Sequence, residues 1–68
     1  MKPPIHQCTR LFSSHDGKEV LAYLKHLTKE RVLSANASDN ELRFLEGQRF
    51  LVHQIETLIR QGKEQPKT

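Results

Sequence analysis

One cysteine, Cys8, is all the sulfur chemistry available to this 68-residue chain, so it cannot close an intramolecular disulfide. A lone thiol points to a reducing compartment unless it pairs with a second chain. Long apolar runs are equally scarce. The runs are short, such as Val20-Leu21-Ala22 and Phe50-Leu51-Val52, whereas a membrane-spanning helix needs about 20 apolar residues in succession. Lys2 is followed by Pro3-Pro4 and polar residues, without the apolar stretch of roughly 7 to 15 residues that forms the middle of a signal peptide. The expected setting is therefore the cytoplasm. Charge of one sign is lacking too: 11 Lys and Arg against 8 Asp and Glu leave a net +3, interspersed along most of the chain. Only Arg60, Lys63 and Lys67 are locally basic, so nucleic acid is not the expected partner.

Hydrophobic residues make up 35% and charged residues 28%, enough for one small domain with a thin core. A domain of this size buries only about 60% of the surface its unfolded chain exposes. What apolar residues there are fall at helical spacing. Val20, Leu21, Leu24 and Leu27 gather on one stripe, which predicts a first helix over about 15–31. Ser14 or Asp16 is placed to cap it, with acids early and Lys25, Lys29 and Arg31 late, as the helix dipole favours. After the connector Ser34-Ala35-Asn36-Ala37, the stretch Ser38-Asp39-Asn40-Glu41 matches an S-x-x-E capping box. A second helix over about 39–61 follows. Its main stripe is Phe44, Gly47, Leu51, Ile55 and Leu58; Leu45, Val52 and Ile59 widen that stripe, and Phe50 stands on a further edge. Gly62 is suited to the left-handed turn that ends a helix.

The expected architecture is all-α: an antiparallel helical hairpin over 14–61, preceded by an extended amino-terminal arm over 1–13 and followed by a polar tail over 62–68. Pro3-Pro4 sets the arm's extended path, and Leu11 with Phe12 would strap or staple the hairpin. A hairpin alone leaves apolar surface open, to be covered by the arm, by another copy or by a partner. Gly47 is the most telling position. A glycine inside a helix costs about 1 kcal/mol relative to alanine, so either the first helix or a partner helix approaches closely there, as we expect, or the glycine is simply tolerated in a long helix with stability to spare. The expected partner-binding residues are Phe44, Gly47, Arg49, Phe50, Leu51, Ile55 and Leu58.

Reactive chemistry finds no support. His6, Cys8, His15, His26 and His53 lack the paired spacing of a zinc site, and a two-helix hairpin offers no cleft in which to hold a nucleophile beside a base. We expect no catalytic residues, no cofactor and no metal.

The order Phe12, then Asp16-Gly17-Lys18-x-Val20-Leu21-x-x-Leu24, then Phe44-Leu45-Glu46-Gly47-Gln48-Arg49 and Leu51-Val52-x-x-Ile55 resembles a family of small tailed-bacteriophage proteins. That family is of the Bordetella-phage type, encoded near portal, capsid and packaging genes. Its recurring words are G-[KR]-x-V-L and F-x-E-G-x-R. The matching positions are Phe12, Gly17, Val20, Leu21, Leu24, Phe44, Glu46, Gly47 and Arg49, while Gln48 departs from the Arg or Lys common there. The resemblance implies a non-enzymatic phage or prophage accessory protein in the host cell cytoplasm or the virion. It would bind a larger virion component or itself through apolar helix faces. The alternative is a small regulatory protein that binds nucleic acid or inhibits a host protein.

Overall fold

A computed structural model describes residues 1–64 and contains three α-helices and, among the described residues, no strand: α1 (Ile5–Ser13), α2 (His15–Thr28) and α3 (Asp39–Glu64). The chain is all-helical, but the expected extended arm is instead a helix. Pro4 occupies the N-cap of α1, and the Cys8 amide donates to the Pro4 carbonyl at 2.9 Å. The prolines that suggested an extended path sit where their missing amides cost nothing, since the first amides of a helix have no intrahelical acceptor. The sequence signal for α1 is the spacing of Ile5, Cys8, Thr9 and Phe12, all half-buried on one face.

Ser14 separates α1 from α2 by a single extended residue and serves both. Its hydroxyl accepts from the Gly17 amide at 3.0 Å, capping α2, and donates back to the Leu11 carbonyl at 2.8 Å. Gly17 makes that tight corner possible. A Cβ there would overlap the Leu11 carbonyl oxygen and come within 2.8 Å of the Phe12 Cα.

The start of α3 follows the expectation, with the Glu41 amide donating to the Ser38 hydroxyl at 3.1 Å. Its end does not. No glycine among the described residues has a positive φ, and α3 runs on through Gly62 to Glu64. Gly62 is buried where α1 crosses: an added Cβ would overlap the Thr9 hydroxyl and approach the Thr9 Cβ to 2.8 Å. The expected polar tail is thus helical over Gly62–Glu64, and its remainder lies outside the described residues.

α2 runs beside α3 in the opposite direction. Lys25 and Lys29 both reach Glu56, and Thr28 lies at Arg49. The Lys29 ammonium donates to the Glu56 carboxylate and holds the Glu56 pKa below its ordinary value. The core is thin: Leu45, Val52 and Ile59 are the buried large apolar side chains, seven residues apart along α3. The stripe that seemed to be its flank is its buried face. The radius of gyration is 14.3 Å, against about 11 Å for a compact domain of this length. Such an elongated body leaves much apolar surface open.

Candidate interaction face on α3

Three glycines with three different surroundings define the site. Gly17 and Gly62 are each pressed against α1, whereas a Cβ at Gly47 would meet nothing within 4 Å. The expected close packing of Gly47 against the first helix is therefore absent, and its propensity penalty of about 1 kcal/mol has no compensation inside the chain. Gly47→Ala is accordingly expected to raise the unfolding free energy of the isolated chain by up to about 1 kcal/mol, read from denaturant melts. A loss of stability would contradict the open surroundings.

Around Gly47 the helix turns apolar residues outward. Phe44, Phe50 and Leu51 are 69%, 62% and 63% exposed. At about 100° per residue, the sector within about 60° of Gly47 starts at Asn40 and Arg43 and runs on through Phe44, Phe50, Leu51, Gln54, Leu58 and Gln61. From Phe44 onward it bears no charge over about 25 Å. Elsewhere α3 is densely charged, with Glu41, Glu46, Arg49, Glu56, Arg60 and Lys63 off that sector. A solvated helix face is normally polar and charged. On the α2 side the sector borders an open depression lined by Lys29, Glu46, Gly47, Arg49, Phe50 and His53.

Not every residue expected at a partner interface belongs to this face. Arg49 is turned inward: Nε donates to the Thr28 carbonyl at 2.9 Å and a terminal nitrogen donates to the Arg31 carbonyl at 2.7 Å. Its other terminal nitrogen is paired with Glu46 at 2.9 Å. The guanidinium thus closes the C-terminal end of α2, meeting carbonyls that lack intrahelical partners. Ile55 and Leu58 are half-buried, on the half of α3 over which α1 lies, as the 3.4 Å approach of the Thr9 hydroxyl to the Ile59 carbonyl shows. Phe44, Gly47, Phe50 and Leu51 are brought together and left open.

The donor side chains nearest to a metal set are His15, Asp16 and Glu19, whose ligand atoms lie within 4.8 Å of one another. All three are exposed at the positive end of the α2 dipole, which opposes a cation. Cys8 is half-buried on α1.

Residues 8–66 match the family model described as Bbp19-like phage protein, and the chain is a member of that family. No curated protein and no solved structure matches it. The family words now have physical meanings in this chain. Gly17 makes the α1–α2 corner, Arg49 fastens the end of α2 while paired with Glu46, and Phe44 and Gly47 face outward. Among the described residues no helix is long and apolar enough to cross a membrane.

Proposed function

We propose that the chain is a non-enzymatic phage or prophage accessory protein that binds a larger virion component, or itself, through the outer face of α3. The observation that carries this reading is Gly47, a helix-interior glycine with nothing packed on it inside the chain. Its cost is offset only if something outside the chain approaches there. Membership of a phage family supplies the setting, and exposed Phe44, Phe50 and Leu51 supply the apolar area. Burying such side chains contributes about 1.5 to 3 kcal/mol each.

The test is retention of the tagged chain by purified phage heads, portal rings and capsids. Phe44→Ser combined with Leu51→Ser is expected to reduce retention at least about tenfold, since losing two buried apolar side chains exceeds the 1.4 kcal/mol of one decade. Leu11→Ser, an exposed apolar site away from the face, should leave it unchanged. Retention that instead falls steeply with salt, indifferent to the Phe44 and Leu51 changes, would favour phosphate neutralisation by basic residues and sink the reading.

A further inference from the structure

We propose that the outer face of α3 docks a second copy of this chain, as an antiparallel α3–α3 pair crossing at Gly47. The inference rests on the reading of that face as an interface and commits it to one occupant. The uncovered part of α3 begins at its first residue, Asp39, and ends near Gln54, beyond which Ile55 and Leu58 are half-buried. Gly47 stands at the middle of that stretch. An antiparallel copy centred on Gly47 therefore spans the open stretch of its partner's α3 and brings its own Asp39 to the place where α1 begins to cover α3.

Self-complementarity follows from the two-fold axis such a pair requires, perpendicular to both helices and passing between the two glycines. Residues at equal distances before and after Gly47, on the same side of the crossing, face each other. On one side Phe44 lies three residues before Gly47 and Leu51 four residues after it, so each copy sets Phe44 against the other's Leu51. On the other side Arg43 lies four before and Phe50 three after, which places the one charged side chain of the sector over the other copy's exposed aromatic ring. Cations over an aromatic face are attracted by its quadrupole. Farther out, along the middle of the sector, the Asn40 amide faces the Gln54 amide. Every contact is apolar with apolar, cation with ring, or amide with amide, and no like charges meet. A glycine at the crossing lets the backbones approach more closely than the usual 8 to 10 Å or so between packed helices.

Sedimentation equilibrium of the 68-residue chain tests the pairing. The parent is expected to be dimeric in the micromolar range. Gly47→Leu should raise the dissociation constant at least about tenfold by overpacking the crossing, with helicity by circular dichroism unchanged. Arg43→Gln should weaken it several-fold through two lost cation–ring contacts. Direction is read in a Cys8→Ser background with a short bismaleimide. Chains carrying Asn40→Cys and chains carrying Gln54→Cys should crosslink only when mixed, because like positions sit about 20 Å apart in the antiparallel pair. A parent monomeric at 100 µM or so, a Gly47→Leu protein that dimerises like the parent, or efficient crosslinking of either cysteine chain with itself would each overturn the proposal. A monomer whose retention on phage particles still depends on Phe44 and Leu51 would overturn the self-pairing alone and leave the proposed function standing.

Discussion

Gly17→Ala is expected to cost about 3 kcal/mol of unfolding free energy, the upper end of what overpacking exacts. The new methyl would meet only backbone, the carbonyl of Leu11 and the Cα of Phe12, so no rotamer change relieves it. The corner at Ser14 must open. Alanine's better helix propensity returns about 1 kcal/mol, which is too little. Because a chain this short has about 3 to 10 kcal/mol of stability in all, the variant should either melt far earlier or keep α2 and α3 while α1 detaches. Denaturant melts give the first outcome, and cleavage by trypsin after Arg10 in the otherwise folded protein gives the second. Gly62→Ala should show the same sign with a smaller magnitude, since the Thr9 hydroxyl can rotate away although its Cβ cannot. A Gly17→Ala protein as stable and as protease-resistant as the parent would contradict the tight α1–α2 corner.

That glycine series also marks the boundary of what the sequence conveys. The starts of α2 and α3 were legible because capping chemistry is local: Ser14 and Ser38 each accept from the amide three residues on. The all-helical class and the family were legible for the same reason, resting on spacing and short words. The burial of α3 was not, because its helix carries two adjacent apolar stripes and periodicity ranks neither. Which one turns inward depends on where α1 lies, and α1 itself was masked by the two prolines. Once Ile5, Cys8, Thr9 and Phe12 form a helix, its crossing at Ile59 and Gly62 turns that stripe of α3 inward, with Leu45 and Val52 buried on it and Phe44 and Leu51 left outside. That Gly47 lies inside a helix was legible, yet only the surroundings of its Cα show that nothing within the chain packs on it. Arg49 misled in the opposite sense. A signature arginine beside an apolar stripe reads as a contact residue, and the carbonyls it meets come from the last residue of α2 and from the connector after it, whose path no spacing rule supplies.

Arg49→Met is expected to cost about 2 kcal/mol, the usual worth of hydrogen bonds from a charged donor. Methionine keeps the aliphatic stem but returns nothing to the Thr28 and Arg31 carbonyls. Thr28 is buried at 6% exposure, so water replaces the lost donor poorly at that end. Arg49→Lys should recover little of the loss, because one ammonium cannot present separate donors to both carbonyls in the fixed fork that a guanidinium offers. Glu46→Gln should matter far less, since its pairing with Arg49 is largely exposed and such pairs contribute under about 1 kcal/mol. Hydrogen exchange locates the effect. The Arg31 amide, which donates to the Thr28 carbonyl at 3.4 Å, should lose protection in Arg49→Met, while the amides of the Val52 turn keep theirs. The same variant separates structure from recognition: below its melting point it should still be retained on phage particles through Phe44 and Leu51. If Arg49→Lys is as stable as the parent, the guanidinium is not what fastens the end of α2, and the signature arginine must be sought at the interface after all.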